Sequence, residues 1–325
     1  MYKVILVAII LFLLICRYNF ISKENYIPIM NKEFIEYLKN DGYQIDDQKN
    51  IIRNNSKEIS YNKSFNETES VKISKNKLKT SIILDKNNIP VPKFVGITIK
   101  NKDNLKSIVK NLKYPLVAKP MLGSLGIGVE TDIYDFKSLE SIVNMLSTKY
   151  KNIQIEEQVS GSSYRVLIFK GNIIDIVERS KAYLVGDGKS NVTQLIDKIN
   201  ESKKEAHKIK NVSKRYINNQ GYNLDNIVPN NKKLFVSNII NLHNGANLNK
   251  VDLKKVPEIN KKLFIDTAKI LNVNMTGLDF MSDNIYVPYT KNNGKILESN
   301  PTPDIGIHFN SMLKNDFYKK IIKNL

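Results

Sequence analysis

The chain has 325 residues, 42% hydrophobic and 25% charged, which excludes a disordered chain and allows two or three small domains with real cores. The net charge of +18 brings nucleic acid and anionic lipid into view, but the lysines are scattered without a long block, as in a Lys/Asn/Ile-rich composition. The single cysteine, Cys16, excludes an internal disulfide, and three separated histidines give no zinc-ligand spacing.

Residues 4–16 are an unbroken apolar run between Lys3 and Arg17. A spanning helix wants ~20 residues. Phe20 and Ile21 extend the run and Tyr18 suits the interface. No small-x-small site follows, which argues against a cleaved signal peptide, and Leu13, Leu14 and Ile15 are too bulky for a lipoprotein site. The expectation is an uncleaved single-pass anchor over residues 1–21. Arg17, Lys23 and Lys32 lie downstream and only Lys3 upstream, which puts the body in the cytoplasm by the positive-inside tendency.

Residues 22–63 are expected to form an N-terminal segment and linker. Phe34, Ile35 and Leu38 predict a helix over 32–40, and the polar stretch 44–61 predicts loop with one short strand. Ser64 and Glu67 fit a capping box opening a helix through Val71 and Ile73. A second helical stripe follows Lys77, whose ordinary fate would be solvent. Then come an extended Ile-Pro-Val-Pro, a strand over 94–99 and a helix over 101–112.

The stretch 114–132 is the centre of the chain. A short strand ends in Lys119, glycines follow at 123, 126 and 128, and a second extended run starts at Val129. Closely spaced glycines let backbone N–H groups approach phosphate oxygens, and a lysine adds a charge for them. No Gly-Lys-Ser/Thr follows, so this is not a Walker loop, and no helix follows at once, so it is not a dinucleotide fingerprint. With a helix over 136–146, the first half reads as a small α/β unit.

A strand over 153–159 carries Glu156 and Glu157. Strands over 164–169 and 173–179 flank a Lys-Gly-Asn turn, and a helix over 192–199 follows Val-Gly-Asp-Gly-Lys-Ser. A strand over 276–281 carries Asp279, and one over 295–299 carries Glu298 and leads to Asn300. Residues two apart in a strand share a face, so Glu298 and Asn300 present a carboxylate and an amide oxygen together. Asp279 on a neighbouring strand could complete a set suited to Mg²⁺, which takes one or two carboxylates and leaves the rest to phosphates and water, although Glu-x-Asn alone reads better as a surface acid and a loop Asn before Pro301.

In this order the motifs resemble the ATP-grasp domain of cyanophycin synthetase and related carboxylate–amine ligases. The resemblance runs from about Ile51 to near the C-terminus. It implies an α+β ATP-grasp fold over 64–325, with a first subdomain and its lid at 64–155 and a second with the metal site at 156–325. It implies that Lys77 and Lys119 bridge ATP phosphates beneath a lid containing Gly123, Ser124, Gly126 and Gly128. Glu156, Glu157 and Val159 would form the adenine hinge. Asp279, Glu298 and Asn300 would hold two Mg²⁺ ions, with Mn²⁺ an alternative. Arg165 and Arg179 would meet the transferring phosphoryl group and an acyl phosphate. Asn241 stands where the family has a polar residue.

The implied activity is ATP-dependent amide formation between a carboxylate and an amine, on an amino-acid or peptide substrate. Departures are Ser163 where many ATP-grasp enzymes carry a ribose-binding acid, and Gly306-Ile307-His308 where cyanophycin synthetases read Arg-Met-His. The second ligase domain of those enzymes is absent from the sequence. Aspartate transfer of the cyanophycin type is therefore expected to be weak; His308 could supply a single donor, but an ordinary packed or solvent-facing histidine is the preferred reading. Competing readings are a tethered ATP-binding protein without turnover, and a binder of anionic lipid or nucleic acid, the latter disfavoured.

Overall fold

The computed structural model describes residues 28–325 apart from 55–56, 63, 125, 203–207, 210–211 and 238–246. The expected anchor and Asn241 lie outside the described residues. Among the described residues no helix is long and apolar enough to cross a membrane. Helix α1 (Lys32–Asn40) is capped by Asn31, whose side chain accepts from Phe34 N, and it buries Phe34 and Leu38 one turn apart. Strands β1 (Gln44–Asp46), β2 (Ile51–Asn54) and β3 (Lys57–Ser60) follow as an antiparallel sheet. This corrects the expected loop with one strand. Ile45, Ile52 and Ile59 are register partners and lay one apolar row on the core. With one core-facing isoleucine per strand, there was no alternation to read.

Helix α2 (Thr68–Lys75) does not use the expected capping box. Its cap is Glu67, without a side-chain cap bond, while Ser64 and Phe65 take φ of 58° and 68°. The turn is held instead by Asn66, which accepts from Met275 N (2.9 Å) and donates to the carbonyls of Met275 (2.8 Å) and Pro301 (2.6 Å). A tertiary tie replaces the local cap. Helix α3 (Lys77–Lys86) is capped by the Asn76 side chain.

Strand β4 (Phe94–Thr98) runs into a 3₁₀ turn (Ile99–Asn104) and a single helical turn, α4 (Leu105–Ile108), in place of the helix expected over 101–112. A capping box between Thr98 and Asn101 starts the tight turn; Leu105 and Val109 are buried, and Ile108 and Leu112 pack half-buried against the same core. Then come β5 (Leu116–Pro120), β6 (Glu130–Ile133), α5 (Phe136–Ser147) and β7 (Asn152–Glu157). The sheet order is β4-β7-β5-β6, antiparallel throughout. The unit is therefore α+β, not the α/β unit that alternating elements suggested. Leu139, Val143 and Leu146 of α5 pack on Leu116, Ala118, Ile153 and Ile155.

Strands β8 (Ser162–Phe169) and β9 (Asn172–Ser180) form a hairpin whose turn puts Lys170 and Gly171 at φ of 44° and 75°. A small lobe follows: β10 (Tyr183–Val185), α6 (Val192–Ser202), α7 (Lys214–Asn218) and β11 (Lys233–Phe235), around Leu184, Leu195, Ile217 and Leu234. The chain returns through β12 (Asn247–Lys250), α8 (Glu258–Ile270), β13 (Met275–Ser282), β14 (Lys295–Asn300) and α9 (Lys314–Lys323). The main sheet runs β12-β9-β8-β13-β14, all antiparallel.

Both faces of that sheet are covered, which explains the continuous apolar run of β8. Val166 and Ile168 pack with Leu263 and Phe264 of α8. Leu167 and Phe169 point the other way, onto Phe34, Leu38 and Ile52 and onto Phe317, Tyr318 and Ile321 of α9. Lys314 Nζ reaches Glu33 at 2.8 Å, and Tyr318 Oη donates to Asn31 at 3.2 Å. The stretch expected as linker thus supplies Ile29, Phe34, Leu38 and Ile52 to one core.

Candidate active site

The glycine stretch forms a loop between β5 and β6. Gly126 and Gly128 take φ of 72° and 75°, and a Cβ on Gly128 would sit 2.9 Å from Pro120 and 3.0 Å from Tyr150. Two tight turns, Ile127 N to Ser124 O and Val129 N to Gly126 O, shape it. Lys77, at the first position of α3, donates to Gly123 O at 2.8 Å and lies 3.5 Å from Glu298 Oε2. It is not a solvated helix lysine, and it joins the loop to the strand that carries Glu298.

Lys119 ends β5 and is buried. Its Nζ lies 2.5 Å from Glu156 Oε1. Gln154 donates to Glu156 Oε2 at 2.8 Å and approaches Ser81 Oγ at 3.2 Å. Sequence reasoning missed Gln154 and Ser81. The signal was there: Gln154 and Glu156 share a face, and Gln154 is the register partner of Lys119.

Across the main sheet, Asp279 and Glu298 are register partners. Asp279 Oδ1 lies 2.7 Å from Arg165 Nε and 2.9 Å from Arg179 Nη2. These contacts are off the hydrogen-bonding direction. Asp279 Oδ1, Arg165 Nε and Arg179 Nε are all buried without a hydrogen-bond partner. Gly277 makes the room: a Cβ there would stand 2.7 Å from Arg165 Nη1 and 2.8 Å from its Cδ. Asn300 spends its amide nitrogen on Glu298 Oε1 (3.1 Å) and Gly277 O (3.3 Å), which leaves its oxygen for a cation.

Burial alone would raise the Glu298 carboxyl. Lys77, with Asp279, Lys119 and Arg165 behind it, outweighs burial and brings it from 4.5 to about 2. Burial pushes the Asp279 carboxyl up against the pull of Arg165 and Arg179. Lysines from the first subdomain and carboxylates from the second therefore share one electrostatic site.

The D-ala D-ala ligase C-terminus family matches residues 83–222. Cyanophycin synthetase from Synechocystis sp. is 28% identical over 253 residues, 73% of this chain and 28% of its own length. The bifunctional glutathione biosynthesis protein GshAB of Clostridium perfringens is 28% identical over 252 residues, 73% of this chain and 32% of its own. The crystal structure of a bifunctional glutathione synthetase from Pasteurella multocida covers 93% of this chain and 45% of its own, with a TM-score of 0.61 at 17% identity. The chain has the α+β ATP-grasp fold. It spans less than a third of the length of these curated relatives.

Within this ATP-grasp domain, the expected hinge leaves β7 with Glu157 N–H bonded to Lys93 O and Gln158 N–H to Pro115 O, both at 2.9 Å. Among the described residues Val159 N–H takes no backbone partner. Glu157 itself accepts from Lys113 N at 3.0 Å. The Glu156 side chain turns beneath the sheet toward Lys119, and its backbone lies in the ladder between Phe94 and Val117, which takes Glu156 out of the expected hinge.

His308 is a packed histidine, the preferred of its two readings, and not an acceptor contact. It is fully buried, with Nδ1 2.8 Å from Asp175 Oδ2, and Ser311 Oγ donates to the same oxygen. Burial lowers its pKa against the pull of Asp175. Its ring stacks on Phe317, which makes it part of the core.

The ATP-grasp site fits Mg²⁺. Asp279 Oδ1 is a buried oxygen without a hydrogen bond, and the Asn300 oxygen and Glu298 stand beside it. Among the described residues no three His, Cys, Asp or Glu cluster for a metal. Two carboxylates and an amide make a site that needs phosphate oxygens to complete it, as Mg²⁺ sites usually do.

Proposed function

We propose that the chain is an ATP- and Mg²⁺-dependent carboxylate–amine ligase that works through an acyl phosphate. The observation that carries this is the convergence of Lys77, Arg165 and Arg179 on Asp279 and Glu298, beside the glycine loop. Val159 N–H would read the adenine, and Lys119 and Lys77 would take the phosphates beneath Gly123, Ser124, Gly126 and Gly128. A substrate carboxylate oxygen attacks the γ-phosphorus, the bond to the β-phosphate oxygen breaks, and ADP leaves. An amine nitrogen then attacks the acyl carbon, phosphate leaves, and the amine loses a proton to solvent. Arg165 and Arg179 neutralise the charge spread over the transferring oxygens. Mg²⁺ held by Asp279, Glu298 and Asn300, as one ion or two, would supply further neutralisation between the phosphates.

The acceptor wall is short of cations. Gly306 carries no side chain, Ile305 and Ile307 are buried, and His308 is locked on Asp175. A carboxylate needing a bidentate clamp finds none there. The acceptor we propose is accordingly not the poly-aspartate of cyanophycin chemistry. Residues 4–21 would tether the body to the cytoplasmic side of a membrane. The test is ADP release by the purified chain across a panel of amino acids and acidic peptides. Release that depends on both a carboxylate and an amine supports the ligase. ATP binding without turnover on any pair would leave only a binding protein.

A further inference from the structure

We infer that Ser163 is a positioning residue that holds Arg179 in place for the transferring phosphoryl group. This rests on the ligase reading above. Ser163 on β8 and Arg179 on β9 are register partners, and Asp279 on β13 pairs with Arg165, two residues along β8 on the same face. Arg179 Nη2 donates to Ser163 Oγ at 2.8 Å, and Ser163 is buried. The same Nη2 lies 2.9 Å from Asp279 Oδ1, where Arg165 Nε also points at 2.7 Å. One carboxylate oxygen therefore serves two guanidinium groups. A cation bound by Asp279 is a third claimant on that oxygen, and it competes with both arginines. The Ser163 hydroxyl is the Arg179 anchor that no cation competes for. It keeps the guanidinium in the site when Asp279 turns to the metal, with the buried and unpartnered Nε free for a phosphoryl oxygen.

A neutral hydroxyl suits that task better than an acid. A carboxylate at 163 would bind Arg179 as a second ion pair and draw its charge away from the phosphate. The plainer account, a buried hydroxyl that merely finds a donor, predicts no nucleotide effect. The two accounts separate by nucleotide. A residue that aims Arg179 at the γ-phosphate matters for ATP and not for ADP.

The experiment is calorimetry of Mg-ATP and Mg-ADP binding to the full chain, its Ser163→Ala variant and its Ser163→Thr variant, with thermal melts alongside. A hydrogen bond to a charged group sets the scale. Ser163→Ala should weaken Mg-ATP by about tenfold and Mg-ADP by less than about twofold. Ser163→Thr, which keeps the hydroxyl, should restore the ATP preference. Equal losses for both nucleotides, no loss in Ser163→Ala, or failure of Thr to restore the preference each overturn the role of Ser163 while the ligase reading stands. A parent chain that binds no Mg-ATP overturns the ligase reading, and this inference with it.

Discussion

In the proposed ligase Lys119 carries two jobs that a single substitution cannot separate. As a phosphate cation it is worth about 1.5–3 kcal/mol through a charge-assisted bond. As the partner of buried Glu156 it also keeps a carboxylate compensated, and breaking such a pair costs about 3–5 kcal/mol. Lys119→Ala should therefore lose at least about tenfold in Mg-ATP affinity and also melt at lower temperature. Lys77 is the leading cation on Glu298, a longer and less buried pair, so Lys77→Ala should lose affinity with a smaller fall in melting than Lys119→Ala. Calorimetry paired with thermal melts distinguishes them, and a Lys119→Ala melt equal to the parent's would contradict the buried pair. Glu298 gives a pH test. Its carboxyl is held at about 2 against an ordinary 4.5, so it stabilises the folded state above about 4.5. That contribution fades as pH falls from about 4.5 toward 2. Melts across this range should fall more steeply for the parent than for Glu298→Gln. Parallel curves would remove Glu298 from the charged cluster.

At the scale of elements, β13 shows how a strand places a side chain on its neighbour. Gly277 has no Cβ, and Arg165 of β8 lies in the space. Gly277→Ala should push Arg165 off Asp279 while the strand persists. The expected loss in kcat/KM for ADP release is on the order of a hundredfold, the scale of a misplaced catalytic group. A variant with unchanged kcat/KM would show that Arg165 acts from another position. Elements with strong local signals were legible: α1, the Lys119 strand, the Lys170-Gly171 hairpin and the strands of Asp279 and Glu298 stand where periodicity put them. The β1–β3 sheet was hidden because its isoleucines contribute one per strand. The false capping box at Ser64 was hidden because Asn66 answers to Met275 and Pro301, which lie far off in sequence. Gln154 and the Ser163–Arg179 bond needed sheet register, which no single strand states.

At the scale of the molecule, the N-terminal layer is part of the body. Phe34, Leu38 and Ile52 are fully buried against Phe317, Tyr318 and Ile321. Full burial of such side chains is worth about 1.5–3 kcal/mol each, against a total stability of about 5–15 kcal/mol. A chain starting at Pro28 keeps Ile29, the Asn31 cap and this core, and should be soluble and bind Mg-ATP. A chain starting at Ser64 strips one face of the main sheet and should aggregate or melt far lower, as light scattering and thermal melts would show. A stable, active chain from Ser64 would make the layer an accessory.

The bond between Lys314 and Glu33 joins residues 281 positions apart, and Asn66 reaches Pro301 across 235. As the chain is synthesised, the layer that emerges early finds its last partners only when α9 has left the ribosome. Until then the apolar faces of α1 and β2 can close on Leu167 and Phe169 of β8 but lack Phe317, Tyr318 and Ile321, and Asn66 waits for Pro301. Contacts this distant form late, because the intervening loop must close first. Nascent chains arrested before residue 314 should leave α1 open to protease, and chains released after α9 should protect it.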